Sequence, residues 1–184
     1  MSLSQFVHLR LHSEYSITDG LLRIGAAVAR AKDDGMPALA LTDLSNLFGL
    51  VKFYQAARNQ GIKPIAGCDV WVSNEIDRDR PARLLLLVQN LAGYRTLSGL
   101  LTRAYRENRV RGRAELRFSW LEESGTDGLI ALSGAQLGDV GQALLSDNEA
   151  GATRMARRWA ALFPDRYYLE IQRTGRPDAE NCLR

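Results

Sequence analysis

The sequence is short of the residues that most often carry chemistry. Its two cysteines, Cys68 and Cys182, lie too far apart for a metal or redox spacing, which suits a reducing cytosol. Its two histidines, His8 and His12, both fall in the first apolar-alternating segment and its exit. There is no glycine-rich phosphate loop, no nucleophile elbow and no Cys-x-x-Cys pair, so the common motif-borne chemistries are excluded. No apolar run approaches membrane-spanning length and no signal peptide precedes Phe6, so the expectation is a soluble, cytoplasmic protein without membrane contact. No internal repeat or low-complexity linker divides the chain. Charge of one sign is also scarce: the net charge is +3, which argues only weakly for a nucleic-acid partner. Most of that excess sits between Arg103 and Arg117, where six arginines face only Glu107 and Glu115.

What is present is organised around Met36 to Val72. Ala38 to Leu41 is an apolar run too short for a helix, ending in Thr42-Asp43. A helical pattern follows, with Leu47, Leu50, Val51 and Tyr54 on one face and Lys52, Gln55, Arg58 and Asn59 on the other. Gly61 supplies the stop, and Ile62 to Val72 reads as a second buried strand. Strand, helix and strand with short connections predict a βαβ unit with parallel strands. Polar residues at the carboxyl ends of such strands face the usual ligand site, which makes Asp43 and Asp69 candidates for chemistry. The competing reading is that Asp43 caps the helix and Asp69 is a solvated strand residue.

Around that unit, Phe6 to Leu11 alternates as a strand, and Leu21 to Lys32 is a helix with Leu21, Ile24, Val28 and Ala31 on its stripe. Thr18 or Asp19 is placed to cap it. Leu84 to Val88 reads as a buried strand, and Tyr94, Leu97, Leu100, Leu101 and Tyr105 mark a helix face. The arginine-rich stretch reads as an exposed loop, with Ser119 and Glu122 at capping-box spacing after it. Leu129 to Leu132 is a strand, followed by helices over Asp139–Leu145 and Ala152–Phe163, the second with Met155, Trp159 and Leu162 inward. Tyr167 to Ile171 is the last strand, and a helix begins in Pro177 to Arg184. The class is α/β with a mainly parallel sheet, and all 184 residues belong to one domain that is incomplete at its C-terminal end.

The histidines form a His8-x-Arg10-x-His12 pattern with all three polar groups on one strand face. Two imidazoles at that spacing are competent metal ligands. Arg10 stands between them, and its guanidinium has no lone pair and keeps its charge. On residues alone a structural role is the stronger reading for both.

Five blocks then carry a resemblance: FVHLRLHSEYSITDG, MPALALTDLSNLFGLVKFY, GIKPIAGCDVWV, GLIALSGAQLGDVG and FPDRYYLEIQRTGRPD. In order and spacing they resemble the N-terminal polymerase-and-histidinol-phosphatase (PHP) domain of bacterial replicative DNA polymerase III alpha subunits. The resemblance implies a distorted barrel of mainly parallel strands with outer helices, cut short before its end. It also implies a metal cluster whose ligands are largely replaced. Arg10 stands where the first family histidine would, and Leu44 follows Thr42-Asp43 in place of the second. Asp69 replaces a glutamate, Arg83 a histidine and Ala135 a cysteine. Only His12, Asp19 and Asp69 keep ligating chemistry, and no catalytic or metal-ligating residue is assigned.

The function implied is that of a non-catalytic PHP portion of a DNA-directed DNA polymerase, bracing the polymerase core and docking the separate proofreading exonuclease. DNA would be met through the parent polymerase, which would need Mg, while this portion would need no cofactor. The alternative is an active metal-dependent phosphoesterase or 3′–5′ exonuclease, using clustered ions to activate water. A nucleic-acid module built on Arg103–Arg117 is weaker, because only Tyr105 and Phe118 at its ends offer base stacking. Two structural expectations follow. The strand-end segments Arg10–His12, Asp43–Leu44, Asp69 and Ser133–Gln136 should share one end of the sheet, and Arg10 should lie within roughly 4 Å of a carboxylate, doing the electrostatic work of a lost ion.

Overall fold

The computed structural model describes residues 6–172, so Cys182 and the C-terminal helix expected from Pro177 onward lie outside the described residues. Contacts within the chain gather into two compact units, one ending at Asp69 and the other starting at Val70.

The first unit holds α1 (Ile24–Asp33), β1 (Ala38–Leu41), α2 (Leu50–Asn59) and the start of β2 (Lys63–Val72). β1 and β2 pair in parallel from Ala38 opposite Lys63 to Leu41 opposite Ala66, with α2 as the crossover. The expected βαβ unit is therefore present. Both helices stop as their glycines dictate. Gly61 has φ +74°, and the Ile62 amide reaches back to the Ala57 carbonyl at 2.9 Å. Gly35, φ +68°, sits in the same arrangement, with the Met36 amide on the Ala31 carbonyl at 2.9 Å. These are Schellman closures, which need a left-handed residue after the helix.

The core between these helices is built from Ile24, Val28, Leu39, Leu41, Phe53 and Ile62, with Ala27, Ala31 and Ala57 letting the helices approach. Burying each of the larger side chains is worth roughly 1.5–3 kcal/mol before entropy is counted. Two expectations are corrected here. The inward face of α2 is Phe53 and Ala57, with Leu50 and Ala56 beside them, whereas Val51 and Tyr54 are exposed. The apolar residues of α2 span more than one stripe, and the small Ala57 lets α1 close against that side. α1 starts at Ile24 without a side-chain cap, so Leu21 is outside the helix and exposed.

Phe6 to Leu11 does not form a regular strand. It runs along β1, and the Ala40 amide donates to the His8 carbonyl and the Thr42 amide to the Leu11 carbonyl. The Leu11 amide turns instead to the Thr42 hydroxyl at 2.9 Å. A side chain thereby takes the place of a ladder carbonyl, and the regular ladder is interrupted.

The second unit contains the end of β2, β3 (Ala82–Val88), α3 (Leu91–Glu107), β4 (Arg109–Val110), β5 (Arg113–Leu116), α4 (Phe118–Ser124), β6 (Leu129–Leu132), α5 (Asp139–Leu145), α6 (Glu149–Leu162) and β7 (Tyr167–Tyr168). Its strands run in the order β4-β5-β2-β3-β6-β7. β2–β5 and β6–β7 are parallel, and β3–β6 and β4–β5 antiparallel. β3 is buried from Ala82 to Leu87, as a strand covered on both faces must be. A Cβ at Gly93, in the first turn of α3, would run into the Gly128 carbonyl at the entry to β6, so only glycine allows that approach.

The arginine-rich stretch is not a loop. It forms the end of α3 and a β4–β5 hairpin closed by Arg111 and Gly112, both at positive φ, the geometry of a two-residue type I′ turn. α4 begins at Phe118 with Arg117 before it, so Ser119 lies inside the helix and the capping box is not used. The last strand is only Tyr167–Tyr168; Leu169 and Ile171 are exposed beyond it.

Candidate functional site

β1 leads directly into Thr42 and Asp43, and the neighbouring position on β2 is Asp69. An isolated parallel bridge joins Leu44 to Asp69. The Ser45 amide donates to the Asp69 carbonyl at 2.7 Å and the Asp69 amide to the Asp43 carbonyl at 3.2 Å. These bonds hold two carboxylates side by side, Asp43 just past β1 and Asp69 within β2, both buried. Neither matches the competing sequence reading: Asp69 is not solvated, and Asp43 caps no helix, since α2 starts after Gly49 without a side-chain cap.

Asp43 is held by neutral donors. Its Oδ1 accepts from the Ser13 amide at 2.6 Å, the Ser13 hydroxyl at 3.0 Å and the Ser16 hydroxyl at 2.8 Å, while Oδ2 accepts from the Ser13 hydroxyl at 2.9 Å. Ser13 caps a single 3₁₀ turn, Glu14–Ser16, and Ser16 is its last residue. The short Ser-x-x-Ser spacing puts both hydroxyls on one side of that turn. Sequence reasoning missed these two serines; the signal available was their position directly after His12. Cys68 lies alongside, its thiol directed at the Asp43 carbonyl at 3.2 Å. Burial pushes that thiol well above its ordinary pKa, so it is unreactive.

Asp69 is held by cations. Arg10 Nη1 lies 2.5 Å from Asp69 Oδ2, and His12 Nε2 is 3.0 Å from the same oxygen. The other ring nitrogen, His12 Nδ1, is 2.9 Å from Asp19 Oδ1. A carboxylate at each ring nitrogen favours the charged, doubly donating form of the imidazole. Burial works against that charge, but the hydrogen bond and charge of Asp69, with those of Asp19, outweigh it and raise the His12 pKa above its ordinary 6.5. Arg10 lies within the expected distance of a carboxylate, and Asp19 serves His12 instead of capping α1. His8 takes no part; its exposed ring meets Phe6 edge-on.

Arg10, His12, Asp19, Leu44 and Asp69 thus gather in the first unit. Arg83 and Ala135 belong to the second. Arg83 is buried on β3, with its guanidinium 4.0 Å from the Trp71 ring centre. Arg113 lies 5.5 Å from the same ring and 3.2 Å from buried Glu115. Ala135 follows Gly134 in the turn after β6, where a Cβ on Gly134 would strike the Arg83 carbonyl. Sequence reasoning missed Trp71 as the Arg83 partner. An apolar strand residue gives no sign that a cation will lie on its face.

Among the described residues, Arg10, His12, Asp19 and Asp69 pair with one another instead of opening toward an ion. Among the described residues no group of three His, Cys, Asp or Glu side chains is arranged to hold one. A ligating imidazole must offer a lone pair, and both His12 nitrogens are directed at carboxylates. The Arg10 guanidinium occupies the face of Asp69 that a cation would take. The arginine run is partly neutralised as well: Arg103 pairs with Glu107 and Glu123, Arg111 with Asp79 and Arg113 with Glu115. No helix among the described residues is long and apolar enough to cross a membrane.

Mainly parallel strands with helices packed against them define an α/β fold. A solved structure of a putative metal-dependent phosphoesterase from Bifidobacterium adolescentis shares that fold, with a TM-score of 0.59 at 11% identity over 98% of this chain and 82% of the other. The PHP domain family matches residues 8–174, and the chain belongs to that family. Its sequence is 49% identical to the DNA polymerase III subunit alpha of Pseudomonas fluorescens over 98% of this chain and 15% of the relative. The Neisseria meningitidis serogroup A protein of the same name is 49% identical over 100% of this chain and 16% of its own length. For Escherichia coli K12 the identity is 45%, again over 100% and 16%. The chain therefore spans about one-sixth of the length of these curated relatives.

Proposed function

We propose that this chain is the N-terminal PHP portion of a replicative DNA polymerase III alpha subunit, a cytoplasmic nucleotidyltransferase. In this reading the PHP portion performs no phosphodiester chemistry. It braces the polymerase core and docks the proofreading exonuclease, and DNA and Mg are handled by the parent polymerase. The observation that carries the inactive reading is the pair of cations on Asp69. Arg10, with His12 beside it, supplies positive charge where an ion cluster would, without an ion to activate water. The seven positions Arg10, His12, Asp19, Leu44, Asp69, Arg83 and Ala135 then have architectural roles.

The test is metal content of the purified protein, measured together with phosphodiesterase turnover. The expected result is substoichiometric zinc and manganese with no turnover above background. Stoichiometric metal with turnover would overturn the inactive reading and favour the phosphoesterase or 3′–5′ exonuclease alternative. The docking role is checked by titrating the exonuclease subunit against the full-length alpha subunit and its complete PHP domain; absence of binding at micromolar concentrations counts against it.

A further inference from the structure

We infer that the second unit carries a contact surface for the phosphate backbone of a DNA duplex, made by Arg154, Arg157 and Arg158 on α6 and by Arg117 just before α4. This goes beyond the reading just given, which leaves DNA to the rest of the polymerase, and rests on that reading for the choice of DNA. On α6 the three arginines are spaced three and four apart and so share one side of the helix. All three are exposed, on the side away from buried Ala152 and Trp159. Past Glu149, in its first turn, α6 has no carboxylate to answer them. Ala150 and Ala161 on the same side are exposed and small, so nothing bulky stands in front of the guanidiniums.

Aromatic packing joins this group to Arg117. The Arg158 guanidinium lies 3.5 Å from the centre of the Phe118 ring, and that ring meets Trp159 of α6 at 4.8 Å. Phe118 directly follows Arg117, whose guanidinium lies 5.5 Å from the centre of the Trp120 ring. Contact with a ring face holds both guanidiniums in place and leaves their charge intact. Neither has a carboxylate at ion-pair distance among the described residues, although the charge of Arg158 is felt by half-buried Asp139. Arg103 also lies on Trp120, at 4.3 Å, but it is neutralised by Glu107 and Glu123 and is left out of the surface.

The chemistry of the surface selects its partner. From residue 64 onward every cationic side chain is an arginine, whose fork of donors pairs bidentately with phosphate and keeps its charge. A protein partner would need apolar anchors, and none of the exposed large apolar side chains lies on α4 or α6. A single strand would need rings on which to stack its bases, and Phe118, Trp120 and Trp159 are all buried. The surface offers charge without apolar or stacking contacts. That fits the backbone of a duplex, which carries about one negative charge per 1.7 Å of its axis, and it reads no base sequence.

The test measures binding of the full-length polymerase to a primed DNA duplex over a range of salt concentrations. Arg154→Gln with Arg157→Gln removes two phosphate contacts, so the slope of log K against log[salt] should fall in magnitude by about 2. Affinity should drop several-fold and equally on two unrelated sequences, while Arg154→Lys with Arg157→Lys keeps the slope. An unchanged slope in the glutamine pair, a slope lost equally in the lysine pair, or a loss confined to one sequence would overturn the inference. Location is read separately by placing photo-reactive benzoylphenylalanine at Ala161, which should cross-link the labelled duplex. Solvent adducts alone, or cross-links only to protein, whether the rest of the chain or added exonuclease, would overturn it as well. Primer extension by the unsubstituted polymerase separates the two readings. A polymerase that extends primers but fails these tests loses this inference alone, whereas one unable to extend primers fails the proposed function.

Discussion

Asp43, just past β1, and Asp69, within β2, are neighbours and equally buried, and the protein stabilises them in opposite ways. Asp43 is surrounded by one amide and two serine hydroxyls, all neutral. Asp69 faces a guanidinium and an imidazolium. The difference lies in what each environment tolerates. Neutral donors stabilise a carboxylate wherever enough of them converge, and losing one leaves the others in place. A buried ion pair is an all-or-nothing arrangement, because each charge is costly without the other. In this fold the position that meets Arg10 and His12 has kept a cationic environment, while its neighbour is an ordinary buried hydrogen-bond acceptor.

The largest expected effect comes from removing the cation. Arg10→Ala takes a guanidinium away from buried Asp69 and should destabilise the protein by about 3–5 kcal/mol in denaturant unfolding. A change within error would mean that Arg10 is not the compensating charge. Arg10→His should not restore stability, since an imidazole there meets an already protonated neighbour. On the neutral side the effect is smaller: Ser13→Ala keeps the Ser13 amide and the Ser16 hydroxyl on Asp43, and should cost about 1–3 kcal/mol in the same assay. If Ser13→Ala proved as damaging as Arg10→Ala, the contrast between the two carboxylates would collapse.

The smallest effect is a slope. The folded pKa of His12 is raised above 6.5, so its stabilisation is fully present below the unfolded value and is lost as pH rises through the folded value. Unfolding free energy should therefore decline from about pH 6.5 upward, and His12→Gln should flatten that decline. Asp43 is held by Ser13 and Ser16, so Ser13→Ala should leave the slope as it is. A slope that survives His12→Gln would assign the titration to another group.

Much of the fold was legible because it is encoded locally. Ala38–Leu41, Gly61 and the apolar run to Val72 specify strand, stop and strand within a few residues of each position. Leu129–Leu132 and Asp139–Leu145 appear with the bounds read from the sequence. The site was legible in part: Arg10 near a carboxylate could be expected from charge alone. The two serines on Asp43 and the Trp71 face under Arg83 could not, since serine and tryptophan are ordinary in those settings.

By itself, then, the sequence determined the βαβ unit, its helix stops, the family and the scarcity of metal ligands, because each is written in neighbouring residues or in residue type. Only the tertiary structure decided that Phe53 and Ala57 face inward while Val51 and Tyr54 stay out, since the apolar residues of α2 allow more than one buried side. It also decided the partner of each carboxylate. Arg10 and Asp69 are 59 positions apart in sequence, and only the path of β1 and β2 brings a guanidinium to one aspartate and two hydroxyls to the other.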